Sequence, residues 1–170
     1  MQPISTAEPD VIKMKGDIMN IATESIFARR KHLYDYIQKG NLGKEVIEEL
    51  LPDCKPHDYE KQLWDYKELL PVLPVVVKPN NTMLSEFNFK MDEIVKDVVS
   101  FYNSYGGYLL IGVTDSPRKI IGFNKIFNCD ELNKRIKGVT GNEIDCYYKT
   151  HNLTIDNHTY QLGLLFVTSQ

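Results

Sequence analysis

Between Met91 and Asp115 the chain runs through an amphipathic stretch, a double glycine and a short apolar run, and this order leaves few folds open. Ile94, Val95, Val98, Val99 and Phe101 recur at helical spacing, with Asp92, Glu93, Lys96 and Asp97 mostly on the opposite side. Gly106-Gly107 stops that helix, because glycine accepts the left-handed conformation that a tight C-terminal cap needs. Tyr108 to Ile111 has no polar alternation, which predicts a central strand covered on both faces. Asp115-Ser116-Pro117 ends the strand, and Ile120 to Phe123 is expected as its hairpin partner or continuation.

Around this block the reading is α/β (α+β): a small mixed sheet packed by a long helix over Met91–Tyr105, behind an N-terminal helical hairpin. Residues 1–16 are expected as a flexible tail, 17–52 as a helical extension and 58–170 as the main domain. In the extension, Ile18, Ile21, Ala22, Ile26, Leu33 and Ile37 predict a helix from Asp17 to Lys39 closed by Gly40, and a shorter one spans Gly43–Leu51 before Pro52. A strand is expected over Glu60–Lys67. Leu69 to Ser85, with Pro71, Pro74, Pro79 and the turn-like Asn80-Asn81, reads as an insertion with one short strand at Val75–Val77. A helix over Asp130–Lys137 and strands over 144–149, 153–155 and 159–166 follow, the last two joined by a tight turn at Asp156-Asn157.

Composition narrows the function classes. The chain has 170 residues, 42% hydrophobic and 25% charged, with a net charge of −3 and a pI near 5.8, which argues against a protein that coats duplex DNA. A local basic groove remains open, since binding follows the placement of Lys and Arg. Cys54, Cys129 and Cys146 are widely spaced and odd in number, with no CxxC pair, as expected for free thiols in a reducing compartment. No signal core or transmembrane-length run occurs, so the expectation is a cytoplasmic protein with no membrane partner. The apolar run Leu162–Val167 close to the end of the chain fits a piece of a larger protein.

Several residues carry chemistry in this reading. Three clustered carboxylates can hold divalent cations that activate water at a phosphodiester, and Glu60, Asp65 and Asp115 are the candidates. Five residues apart, Glu60 and Asp65 fall on opposite faces of an ideal strand, so a bulge, a turn or a position before the strand is needed to unite them. Lys67 shares a face with Asp65 and could pair with it or meet a phosphate; Lys90, Lys96, Arg118 and Lys119 could extend a groove. Arg29, Arg30 and Lys31 form the densest basic cluster, either a solvated helix face or a nucleic-acid contact. The glycine turn does not suit a nucleotide phosphate, because it lies at a helix C-terminus where the dipole repels anions, and no nucleotide cofactor is expected. The dense aromatics, Tyr59, Trp64, Tyr66, Phe87, Phe89, Phe101, Tyr102, Tyr105 and Tyr108, are either core residues or stacking surfaces for unpaired bases.

Taken together, the helix ending Phe101-Tyr-Asn-Ser-Tyr-Gly-Gly107, the strand Leu-Leu-Ile-Gly-Val-Thr-Asp115 and Ile121-Gly-Phe123 resemble the AlbA-type domain of Schlafen proteins. Glu60-Lys-Gln-Leu-Trp-Asp-Tyr-Lys67 is similar to the family's upstream element, with aspartate in place of its second glutamate. The resemblance implies a nucleic-acid-interacting module for RNA or single strands rather than duplex DNA. It also implies a divalent-metal endoribonuclease site at Glu60, Asp65 and Asp115 with Mg or Mn, the shorter Asp65 side chain being a departure. The alternative is a non-catalytic interaction, sensor or homodimerisation domain of a larger protein.

Overall fold

The computed structural model describes residues 28–58, 62–74 and 77–170. The tail over 1–16, the first part of the helix expected from Asp17, and Tyr59, Glu60, Val75 and Val76 lie outside the described residues.

Four strands form one mixed sheet in the order β1-β2-β4-β3: β1 (Trp64–Lys67), β2 (Gly107–Ile111), β3 (Cys146–Ile155) and β4 (His158–Val167). β1 runs parallel to β2, with Asp65 beside Leu109 and Lys67 beside Ile111. β4 is antiparallel to both of its neighbours, β2 and β3. The helices are α1 (28–38), α2 (Lys44–Leu50), α3 (Asn81–Tyr102) and α4 (Cys129–Thr140). α3 is the crossover that the parallel β1–β2 pair requires.

The pleat divides the apolar residues into two cores, so the sheet is the middle of three layers. Leu109, Ile111, Leu165 and Val167 pack with Met91, Ile94, Val95, Val98 and Phe101 of α3 and with Leu132 and Ile136 of α4. On the other face Trp64, Tyr66, Tyr108, Leu110, Leu162, Leu164 and Phe166 meet Leu33 and Ile37 of α1 and Val46, Ile47 and Leu50 of α2. All five residues of β2 are buried, as its unbroken apolar run predicts. Each fully buried Leu or Ile contributes about 1.5–3 kcal/mol from burial alone. Hydroxyls tie the layers together: Tyr108 donates to Asn41 O at 2.8 Å, and Tyr66 donates to Leu50 O at 2.6 Å.

The α3–β2 turn shows why glycine stands at its end. Gly106 has φ +75° and donates to Phe101 O at 2.9 Å, and an added Cβ would lie 2.7 Å from Val167 O and 2.8 Å from Ile37 Cγ2. At the far end of the sheet, Asp156 and Asn157 have φ +47° and +64° and close the two-residue β3–β4 hairpin.

Three expectations need correction. α3 starts at Asn81, ten residues before Met91, because Asn80 is its N-cap: the Asn80 side chain accepts from Met83 N at 2.9 Å. The stretch Asn81–Ser85 is therefore helix and no part of an insertion. Ile120–Phe123 forms no strand; a single bridge pairs Val113 with Ile120. The strands expected over 144–149 and 153–155 are one continuous β3.

Candidate functional site

On the α3 face of β1, alternation directs Asp65 and Lys67 to the same side, while Trp64 and Tyr66 enter the opposite core. Lys67 Nζ lies 2.8 Å from Asp65 Oδ2 and 3.0 Å from Asp97 Oδ2 on α3. Both contacts are ion pairs, and Asp97 Oδ2 is itself buried. Burial raises the Asp97 carboxyl above the ordinary aspartate range; Lys67 opposes this, and Asp65 and Glu93 add to it. Burial works against the Lys67 charge too, but the contacts with Asp65 and Asp97 outweigh it and hold the ammonium above the usual lysine range. One cation thus sits between two half-buried carboxylates.

This trio adjoins a groove of about 560 Å³ between the chain leaving β1 and the exposed side of α3. Its lining carries Lys67, Lys90 and Lys96 against Glu68, Glu93 and Asp97. Lys90 and Lys96 are exposed, whereas Lys67 is committed to its carboxylates. Phe89 is 64% exposed and lies one helical turn before Glu93, outside the residues that line the groove. Arg135 of α4 braces this part of α3, donating to Asn88 Oδ1 at 2.9 Å and to Asp92 Oδ1 at 2.9 Å.

The remaining sequence candidates are spread over the molecule. Asp115 is exposed in the 114–119 loop, where the Thr114 hydroxyl donates to Pro117 O at 2.6 Å and accepts from Lys119 N at 2.9 Å. Lys119 is exposed in the same loop. Arg118 lies over the Tyr66 ring, 5.5 Å from its centroid, and donates to His57 O at 2.8 Å, which puts it on the α1/α2 side of the sheet, opposite Asp65 and Lys67. Arg29 pairs with Glu49 of α2 at 3.3 Å. Arg30 lines a separate cavity with Lys31, Tyr34 and Tyr105. Among the aromatics, Trp64, Tyr66, Phe101 and Tyr108 are core, while Phe89 and Tyr105 are exposed.

A divalent cation at β1 would need carboxylate oxygens turned toward it. Both oxygens of Asp65 are engaged: Oδ1 accepts from Tyr66 N at 2.9 Å, and Oδ2 pairs with Lys67. Among the described residues no three His, Cys, Asp or Glu side chains group to hold a metal. Residues 62–63 form a turn ahead of β1, and Glu60 lies outside the described residues. As arranged, the described residues do not make a ligand set for Mg or Mn. Asp97 is the partner that sequence reasoning missed; its signal was its place beside buried Ile94 and Val98, at the border of the apolar stripe.

Among the described residues no helix is long and apolar enough to cross a membrane. No curated protein matches the chain. Among solved structures, the DIP2311 protein from Corynebacterium diphtheriae is similar, with 19% identity and a TM-score of 0.43. The match covers 84% of this chain but 26% of that protein, so the chain spans about a quarter of its length. A family described as Schlafen, AlbA_2 matches residues 60–169, a span that takes in β1, the Asp65–Lys67–Asp97 trio, the glycine turn and the rest of the sheet. The chain belongs to the Schlafen AlbA_2 family.

Proposed function

We propose that this chain is a nucleic-acid-interacting module that takes RNA or single-stranded nucleic acid along the groove between β1 and α3. The observation that carries the reading is the groove flank of α3, which presents the exposed Lys90 and Lys96, with the exposed Phe89 next to Lys90 in the chain. The lining holds as many carboxylates as lysines, so the groove has no strong positive field to hold a duplex by its phosphates alone. Affinity then has to come from base stacking, about 1–3 kcal/mol per base, which unpaired strands can offer. Two lysines on phosphates correspond to a salt slope of roughly −1.4, at about −0.7 per neutralised phosphate on a single strand.

Fluorescence anisotropy with labelled single-stranded RNA, single-stranded DNA and duplex DNA tests this reading. Salt-sensitive binding to the single strands, weakened about tenfold by Lys90→Glu with Lys96→Glu, is the expected result. No binding to any of them would leave the non-catalytic interaction or sensor domain, whose signature is self-association in sedimentation.

A second reading adds cleavage of the bound RNA with Mg or Mn through Glu60, Asp65 and Asp115. The observation in its favour is that the family match begins at Glu60 and includes all three acids. It requires Asp65 to release Lys67. Labelled tRNA and single-stranded RNA incubated with Mn²⁺ or Mg²⁺ would be cut by the wild type and left intact by Asp65→Ala and Asp115→Ala; intact RNA with the wild type would rule the reading out.

A further inference from the structure

Opposite the C-terminal end of β1, a second cavity of about 290 Å³ opens between α1, the turn ahead of β1 and the α3–β2 turn. It is lined by Arg30, Lys31, Tyr34, Gln62, Leu63 and Tyr105. Tyr34 and Tyr105 meet edge to face, with ring centroids 6.2 Å apart and planes at 74°, and they are 42% and 53% exposed. In contrast to the α3 groove, the described residues that line this cavity carry two basic side chains and no carboxylate. The two half-exposed phenol rings present aromatic surface suited to stacking on a flat, polar-edged π system.

From this geometry we infer that the cavity is a stacking subsite for one unpaired base of a single-stranded nucleic acid. The inference rests on the proposed function and adds a second point of contact to it. An edge-to-face pair leaves a ring face open to a third ring, and the size suits one nucleoside, near the lower limit of small-ligand pockets at about 300 Å³. Arg30 and Lys31 precede Tyr34 by four and three residues on α1, one helical turn away on the same face, where they can meet the phosphates flanking a base stacked on the rings. The Gln62 amide offers both a donor and an acceptor to the base edge.

Both rings stand on fixed backbone, so little ordering is needed on binding. Tyr105 belongs to a turn closed by Ser104 N and Gly106 N on Phe101 O, at 3.0 and 2.9 Å, and by the Ser104 hydroxyl on Ser100 O at 2.9 Å. Tyr34 sits next to Leu33, which is fully buried, and one turn before buried Ile37. Arg30, Lys31 and Tyr34 lie outside the family-matched span, whereas Gln62, Leu63 and Tyr105 lie inside it. The subsite is therefore built across the junction between the family domain and its N-terminal extension.

The test is titration of the full chain into a single-stranded oligonucleotide carrying 2-aminopurine, whose fluorescence is quenched by stacking. Wild type is expected to quench it, Tyr34→Ala and Tyr105→Ala to lose the quench and about tenfold in affinity, and Tyr34→Phe and Tyr105→Phe to keep both. Circular dichroism checks that each variant is folded. Alanine variants that bind and quench like wild type, while Lys90→Glu with Lys96→Glu weakens binding, would overturn the subsite and leave the groove reading standing. Absence of any binding by the wild type would overturn both.

Discussion

Lys67 on β1 holds Asp97 on α3 at 3.0 Å while also holding Asp65, two residues back on its own strand, at 2.8 Å. The lysine therefore joins the edge strand to the helix that crosses from it. Its side chain is 30% exposed and those of Asp65 and Asp97 are 21% and 31% exposed, so the three charges are partly screened.

Replacing Lys67 with Met should leave two half-buried carboxylates facing each other. A fully buried pair broken on one side loses 3–5 kcal/mol, and the remaining exposure reduces the expected cost to about 1–3 kcal/mol. Asp97 is raised already in the wild type, so its proton is held more tightly folded than unfolded, and stability falls as pH rises from the ordinary value of 3.8 through the raised one. Without Lys67 that fall should steepen. Urea midpoints at about pH 7 and pH 4.5 should show the variant's deficit shrinking on the acid side. An equal deficit at both pH values would mean that the carboxylates do not repel. The raised Lys67 makes stability depend on pH in the alkaline window: its share is complete below 10.5 and lost as pH climbs through the folded value.

Tyr66 carries a buried bridge on the other face of the same strand. Its hydroxyl donates to Leu50 O at 2.6 Å at the end of α2 and accepts from His57 N at 3.0 Å. Tyr66→Phe keeps the ring under Arg118 but strands both backbone groups, and unfolding free energy should drop by about 1–3 kcal/mol. Chemical denaturation measures it; a change within a few tenths would mean that water replaces the hydroxyl.

How much of this was readable depended on how local the cause is. The glycine turn, β2 and the β3–β4 hairpin follow from contiguous residues, and the sequence announces them. The start of α3 is hidden in the sequence because its first turns bury little: Leu84 and Phe89 are exposed and Phe87 only half-buried, so no apolar stripe marks them, and Asn80-Asn81 resembles a turn. Alternation along β1 put Asp65 and Lys67 on one side, but no spacing rule reaches from Lys67 to Asp97 thirty residues away. Arg118 and Lys90 looked equivalent as basic candidates. Pairing of β1 with β2 sends one over Tyr66 and leaves the other beside Lys67, on opposite faces.

Asn80→Ala tests the corrected helix start. The lost cap leaves Met83 N without its acceptor, and stability should fall by about 1 kcal/mol with some loss of helical signal. Asn80→Asp should retain it, since a carboxylate accepts the same bond at the positive end of the helix. An unchanged midpoint in Asn80→Ala would place the true start of α3 nearer Met91.

Gly106→Ala should cost more. The new methyl would stand 2.7 Å from Val167 O, a backbone atom of a central strand, at a φ of +75° that alanine resists. A loss above about 2 kcal/mol in thermal or urea unfolding is expected. The same substitution at Gly138, whose added methyl meets nothing within 4 Å, should be neutral or slightly stabilising because helix propensity rises.

The thiols provide a probe of the α4–β3 contact. Cys129 Sγ donates to Cys146 O at 3.1 Å, and burial raises the Cys129 thiol to about 11, with Asp130 adding to it. At pH 8 only about one molecule in a thousand would carry the Cys129 thiolate, the form that attacks a disulfide reagent. Cys146 is buried and its thiol is raised as well, first by burial and then by Cys129 and Asp145. Titration of the native protein with an aromatic disulfide should therefore show one fast thiol, Cys54, removed by Cys54→Ser, and two slow ones. The Cys129 rate should grow tenfold per pH unit until near 11, and in urea all three should react together. A fast Cys129 in the native protein would show that α4 lifts from β3 far more readily than its buried Leu132 and Ile136 imply.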